Sequence, residues 1–272
     1  MKIYALILTV GLLLARFATT AQAQTNLVAN GSFEAGPVGE GVFTDWPEVN
    51  GADGNSNYGV TNSTTPPAVA EQGNYYAYFR GHPTDGTRNP AAGSQDCLGM
   101  PMTLKVGGIY NISFYLGTDG PLTNGASMWS QIGTDYGLNP ANDFIVTAYF
   151  PNSPSALPYQ KFSTNYVATS TYETLSFHAI NATNGIVVTN GILLDNVSLV
   201  QTYPPLKMSF SKPSSLIFNW QFTNSPYRLQ ANGSLNPTNW VTLSNVPVNM
   251  GTNNQISLTG ATNQQFYRLT LP

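Results

Sequence analysis

Charge is what this sequence has least of. Only 8% of its 272 residues are Asp, Glu, Lys or Arg, against about 25% in an ordinary globular chain. Asn, Thr, Ser and Gly carry the polar load instead, a composition suited to β structure with neutral, hydrogen-bonding surfaces. Ten basic and thirteen acidic side chains leave a net charge of −3, with no basic or acidic run. That excludes the cationic footprint nucleic acid demands. Cysteine is nearly absent. Cys97 stands alone, so no internal disulfide is open to the chain, and the fold rests on its core, with or without a metal. A buried or idle Cys97 is expected, with a reactive thiol or an intermolecular link as the alternatives. The hydrolase and nucleotide motifs are missing too: there is no Gly-x-Ser-x-Gly elbow, no His-Glu-x-x-His and no Gly-rich phosphate loop. His82 and His178 are isolated from each other and from Cys97 along the chain.

Long apolar runs are confined to the start. Lys2 supplies a positive charge, Ile3 to Leu14 an apolar stretch, and Ala21-Gln22-Ala23 a small-x-small cleavage site. A secretory signal peptide over 1–23 and a mature chain from Gln24 are expected. The stretch falls short of the ~20 residues a membrane span needs, and Arg16 interrupts it. Nothing later in the sequence spans a bilayer as a helix, so a secreted, extracellular or cell-surface protein is expected.

Strand chemistry is plentiful. In Ile109 to Gly117, Tyr110, Ile112, Phe114 and Leu116 share one face, and Asn111, Ser113 and Tyr115 the other, as a half-buried strand requires. In Tyr75-Tyr-Ala-Tyr-Phe79, residues 75, 77 and 79 oppose Tyr76 and Tyr78. Leu175, Phe177 and Ala179 point inward if Ser176 and His178 point outward. Between these strands, Gly36 to Thr65 is irregular and holds Phe43 and Trp46, and Thr118 to Asn142 reads as a long Gly/Asn-rich loop holding Trp129. Short strands at regular spacing, with turn signals between them and no helical period, mean an all-β sandwich or barrel.

Two stretches frame this region. Asn26-Leu-Val-Ala-Asn-Gly-Ser-Phe-Glu34 opens it, and Ile192-Leu-Leu-Asp-Asn-Val-Ser-Leu-Val200 closes it. The pair resembles the first and last strands of the galactose-binding-like β-sandwich, in particular the family 4/9 carbohydrate-binding modules. The Lys105-Val-Gly-Gly-Ile-Tyr-Asn-Ile-Ser-Phe114 phrase looks like that family's central strand pair. The resemblance implies a jelly-roll sandwich over residues 24–201. It also implies a structural calcium tying the first strand to the last, with Glu34 and Asp195 at the matching ligand positions and backbone carbonyls near Gly31 or Ser32. A physical argument runs alongside. Two carboxylates brought together by pairing of the chain ends repel unless a cation lies between them, and lysines are scarce. Hard cations take such oxygen donors. The alternative is that both acids are solvated at strand ends.

At Tyr203-Pro204-Pro205 the organisation changes, since consecutive prolines resist a central strand. A linker over 202–206 and a small all-β module over 207–272 are expected, with Trp220, Tyr227, Trp240 and Phe266 as its core. The phrases Tyr227-Arg-Leu-Gln, Leu235-Asn-Pro-Thr-Asn-Trp240 and Phe266-Tyr-Arg-Leu269 resemble a C-terminal module of secreted proteins from some environmental bacteria.

Exposed aromatics on a sheet face suit a sugar, whose ring presents a flat C–H surface. Trp46, Tyr76, Tyr78 and Trp129 are the candidate contacts, with Arg80 as polar partner. The competing reading puts these rings in the core. Thirteen acids supply many carboxylate pairs, but nothing in the sequence elects the two that glycoside hydrolysis needs. The expectation is therefore a secreted, non-catalytic, calcium-stabilised protein that binds a polysaccharide or glycan, with no nucleic-acid partner and no membrane span. The alternative is a structural or adhesive surface protein without specific sugar binding; a glycoside hydrolase ranks third.

Overall fold

Alternation of apolar and polar side chains dictates most of the strands seen in the computed structural model. It describes residues 25–50, 58–62, 69–80, 97–122, 126–134, 144–181, 190–211, 215–221, 226–234, 238–259 and 265–272. The expected signal peptide, His82, Asp85, Arg88 and Asp135 lie outside the described residues. In chain order the strands up to Thr202 are β1 (Gly39–Glu40), β2 (Glu48–Asn50), β3 (Tyr58–Thr61), β4 (Tyr76–Phe79), β5 (Cys97–Thr103), β6 (Ile109–Thr118), β7 (Ala126–Gly133), β8 (Phe144–Phe150), β9 (Gln160–Val167), β10 (Tyr172–Asn181) and β11 (Ile192–Thr202). No helix occurs among the described residues, and none is long and apolar enough to cross a membrane.

These strands build one unit, Gln24–Thr202. A six-stranded antiparallel sheet runs β1-β3-β4-β11-β6-β9 and a five-stranded one β2-β5-β10-β7-β8. Their inner faces share one core. Phe114 of β6 meets Phe177 of β10 edge to face, with ring centroids 5.1 Å apart. Tyr110, Ile112, Phe114 and Leu116 of β6 all belong to this core, as do Leu175, Phe177 and Ala179 of β10. The expected β-sandwich is what the chain forms.

Three local expectations are corrected. The Asn26–Glu34 stretch is not a full strand: it makes a single bridge, Asn26 to Val200, and then turns. Its tie to β11 is nevertheless extensive. The Asn26 side chain donates to the Val197 carbonyl and accepts from the Leu199 amide, at 3.2 and 2.9 Å. The Val197 amide donates to the Gly31 carbonyl at 2.8 Å. Second, the long loop expected over Thr118 to Asn142 contains β7, with Ala126, Met128 and Ile132 in the core. Third, Trp46 is a core residue, 2% exposed. It stacks on Phe33 with centroids 5.7 Å apart, and its Nε1 donates to the Asn30 carbonyl. The irregular segment that carries it folds inward because the ring finds both apolar cover and a partner for its one polar atom.

The second unit, from Tyr203, holds β12 (Lys207–Ser211), β13 (Ser215–Gln221), β14 (Arg228–Asn232), β15 (Val241–Thr242), β16 (Val248–Met250), β17 (Asn253–Thr259) and β18 (Phe266–Thr270). They form a four-stranded sheet, β12-β13-β17-β16, and a three-stranded one, β15-β14-β18. Phe218 of the first packs on Tyr267 of the second, centroids 4.5 Å apart. Trp220 and Tyr227 are buried there as expected, together with Phe218, Leu229, Ile256 and Leu269. Trp240 and Phe266 are only half-buried, which removes them from the expected core.

The close approach of Gly31 to β11 generates a prediction. A Cβ at Gly31 would lie 2.0 Å from the Val197 carbonyl oxygen, a contact only backbone movement relieves. Gly31→Ala should destabilise the sandwich by roughly 1–3 kcal/mol, the usual range for an overpacked site. Urea unfolding of the mature chain measures it; an unchanged midpoint would mean that the Asn26–Gly31 tie does not hold the sheet.

Candidate functional site

The outer face of the five-stranded sheet carries the most site-like set of side chains. On β7, Ser127, Trp129 and Gln131 turn away from a core that takes Ala126, Met128 and Ile132. On β10, Thr174, Ser176 and His178 turn the same way, opposite Leu175, Phe177 and Ala179. On β8, Thr147 and Tyr149 alternate with the buried Ala148 and Phe150. Register aligns them in rows across the sheet. Thr147, Trp129, His178 and Cys97 form one row, and Gln131, Ser176 and Gly99 the next. Tyr149 lies opposite Ser127, one step diagonally from Trp129, a distance aromatic side chains bridge.

Exposure within this face is graded. Tyr149 is 65% exposed and Tyr172, at the far end of β10, 72%. Trp129 is half-buried. Gln131, Ser176, His178 and Cys97 form a buried polar floor. Ser176 Oγ and Cys97 Sγ both approach His178 Nε2, at 3.0 and 3.7 Å. Burial alone holds the imidazole down at about 4, so near neutral pH it is an uncharged hydrogen-bonding group. A half-buried indole, two exposed phenols, an amide, hydroxyls and a neutral imidazole thus share one face.

The outer face of the six-stranded sheet is different in kind. Tyr76 and Tyr78 of β4 do point outward, as the alternation requires, but Tyr76 is completely buried and offers no ring to a ligand. The half-buried Tyr78 has the Arg80 guanidinium 4.6 Å from its centroid, and Tyr115 has the Lys161 ammonium at 5.6 Å. Arg80 is paired to Asp119 at 2.7 Å. Of the five expected sugar contacts, Trp46 lies in the core and Tyr76, Tyr78 and Arg80 belong to the opposite face from Trp129. The sheet therefore does not bring them together. Tyr149 and Tyr172 were not among the expected contacts, nor were Gln131, Ser176 and His178. The alternation Ala126-Ser-Met-Trp-Ser-Gln-Ile132 is the signal for one of these positions, Gln131.

Glu34 and Asp195 do converge, on the loop between Glu71 and Tyr75. Asp195 Oδ2 accepts from the Glu71 and Gln72 amides at 2.8 and 2.9 Å. Glu34 Oε1 accepts from the Asn74 and Tyr75 amides, both at 2.7 Å. Gly73 at the loop's centre has φ +75°, and a Cβ there would sit 2.3 Å from Glu34 Oε1, so this grip requires glycine. Asp195 is fully buried. Burial pushes its carboxyl up to about 7, against the pull of amides from Gln72, Asn196 and Glu71. Nearby, the buried Tyr159 hydroxyl has no hydrogen-bond partner among the described residues, and burial first, then Asp195, raises its pKa. Among the described residues, no three His, Cys, Asp or Glu side chains are grouped to hold a metal.

His178 yields a pH prediction. Its folded pKa, about 4, lies below the ordinary value of 6.5. The unfolded state therefore binds the proton first, and stability is complete above pH 6.5 and falls as pH drops toward 4. The full loss is about 3 kcal/mol at ~1.4 kcal/mol per unit. His178→Gln should flatten this slope in calorimetric melts between those pH values; a variant with the wild-type slope would assign the acid sensitivity elsewhere.

No protein-family model matches the sequence, and no curated protein matches it. Solved structures do. The chain is similar to TmCBM61 in complex with β-1,4-galactotriose, at 19% identity over 65% of this chain and 99% of that one, with a TM-score of 0.44. It is similar to a CBM4 structure at 16% identity, over 64% of this chain and 99% of that one, TM-score 0.39. It is also similar to the CBM22-1 xylan-binding domain of Paenibacillus barcinonensis Xyn10C, at 15% identity over 68% and 99%, TM-score 0.38.

Proposed function

We propose that this is a secreted, non-catalytic carbohydrate-binding protein, and that its sandwich holds a neutral polysaccharide on the outer face of the five-stranded sheet. The observation that carries the reading is the line of aromatic rings on that face: Tyr149, Trp129 and Tyr172, set over a buried neutral floor of Gln131, Ser176 and His178. Rings stack on sugar C–H faces, and the exposed Thr147 and half-buried Ser127 hydroxyls beside them pair with sugar hydroxyls. The rings are spread along the strand direction. From the row of Tyr149 to Tyr172 is eight residues of β10, roughly 26 Å at about 3.3 Å per residue, which suits an extended chain of several sugar units. Hydrolysis of a glycoside calls for two carboxylates across the bond; among the described residues, the groups aligned with Trp129 across the sheet are neutral. The pattern of Lys2, Ile3 to Leu14 and Ala21-Gln22-Ala23 supports secretion.

The proposal extends to a calcium ion at Glu34 and Asp195. Its support is the convergence of both carboxylates on one loop and the deep burial of Asp195, whose hydrogen-bond partners among the described residues are amides and include no cationic side chain. Glu34 Oε2 and Asp195 Oδ1 would be the side-chain donors, completed by carbonyls.

Retention of the mature chain on a panel of neutral polysaccharides tests the site. Trp129→Ala should weaken retention on the bound polymer by about tenfold or more, the effect of losing one anchoring ring, and Tyr78→Ala should not. Equal retention by Trp129→Ala and Tyr149→Ala would sink this face as the site, and no retention on any polymer would favour a structural or adhesive role. For the ion, EDTA should lower the melting temperature by roughly 5–10 °C when calcium had been present at about a hundred times its Kd. An identical melt with and without chelator would leave the two carboxylates as loop clamps alone.

A further inference from the structure

The acids and bases of this chain are not shared between its two units. All thirteen acidic residues lie between Glu34 and Asp195, while Tyr203 to Pro272 contains Lys207, Lys212, Arg228 and Arg268 and no Asp or Glu at all. The sandwich, with four basic residues against thirteen acids, is at −9; the second unit carries four cationic side chains and no acidic one. A cation in this unit therefore has no side-chain carboxylate of its own unit to pair with.

Both arginines stand on one face. On β14, Leu229 and Ala231 are buried, so Arg228 and Gln230 point the other way; on β18, Leu269 is buried, so Arg268 and Thr270 do the same. Arg228 is opposite Thr270 and Gln230 opposite Arg268, which makes the two arginines diagonal neighbours, their Cβ atoms starting roughly 7 Å apart. A polar chain fixes one of them. Arg268 Nε donates to Gln230 Oε1 at 2.8 Å, and Gln230 Nε2 donates to Thr242 Oγ1 at 3.1 Å, across all three strands. The Arg268 guanidinium lies over the Trp240 ring, 4.3 Å from its centroid. That contact explains why Trp240 stays out of the core: it is the base on which a charged, planar group is set. Arg228 is exposed. Neither arginine forms an ion pair among the described residues.

We propose that this outer face of the three-stranded sheet binds an acidic polysaccharide. The guanidinium groups take carboxylates bidentately, and Gln230, Thr242 and Thr270 meet hydroxyls between the charges. Spacing two cations among neutral hydrogen-bonding groups suits a polymer that is mostly hydroxyl with a regular carboxylate. It does not suit nucleic acid, whose dense phosphates reward many cations. The site is on a different unit from the neutral-glycan face and does not rest on it.

Retention of the full mature chain on immobilised polygalacturonate, with a neutral galactan as control, tests the proposal across a range of salt. The chain should be held at low ionic strength and released as salt rises. Arg228→Gln with Arg268→Gln should weaken retention by about tenfold or more and reduce the log–log salt slope by roughly 2, one per lost cationic contact. Trp129→Ala should leave it unchanged. Arg228→Gln alone removes only an exposed side chain, and should halve the change in slope even if the double variant folds poorly. Retention that ignores both substitutions overturns the proposal. So does the absence of retention at low salt, which would mean that the arginines are spent within the molecule.

Discussion

One irregularity in one strand sets much of the sandwich. In β11 the pairing with β6 shifts between Asp195 and Ser198, and Asn196 has φ 49°. A β-bulge of this kind inserts a residue and resets the alternation. Leu194 and Val197 both enter the core as a result, although a regular strand would send them to opposite faces. The bulge also frees the Val197 amide and carbonyl from the ladder, and the Asn26–Gly31 stretch takes them up. Asp195, left on the outer side, reaches the Glu71 and Gln72 amides. Core packing, closure of the chain ends and the loop before β4 are thus set by a single extra residue.

A chain with so few lysines and arginines uses its acids in an uncommon way. Asp195 and Glu34 hold the loop before β4. Glu173 accepts from the Thr169 and Ser170 amides at 2.9 and 2.7 Å, and Asp119 accepts from the Gly191 amide at 2.6 Å as well as from Arg80. Each carboxylate gathers backbone donors at a point where a strand begins or ends, and charge-assisted bonds of this type are stronger than neutral ones. These four acids pin loops through backbone amides, and Asp119 alone of them also pairs with an arginine, which fits a composition where neutral polar residues make up the surface.

The sequence exposed those parts of the fold that obey a period. β6, β10 and the Val197–Leu199 end of β11 show period two, and the pairing of the two framing stretches is visible in two phrases. Ser176 and His178 were placed on the correct face by that period, but nothing in it showed that they are buried, because cover comes from other parts of the chain. β7 was hidden by the Gly- and Asn-rich residues on either side, which outweighed seven alternating positions. Trp46 was misplaced because its segment has no period; its burial depends on Phe33 and the Asn30 carbonyl, which only the folded turn supplies. Trp240 failed in the opposite sense: size and aromaticity argued for the core, and a stacked arginine kept it at the surface. The candidate site was legible in one residue, Trp129, and the sheet register supplied the rest.

The place of β11 also bears on how the sandwich is made. This last strand of its unit lies in the middle of the six-stranded sheet, between β4 and β6, and also ties down the first residues of that unit. During synthesis, β4 and β6 leave the ribosome without the neighbour that joins them. The β1-β3-β4 and β6-β9 parts of the sheet have no ladder between them without it, and contacts this distant in the chain form slowly. The six-stranded sheet is incomplete until Thr202 has emerged, and its central place is filled by the strand that arrives last.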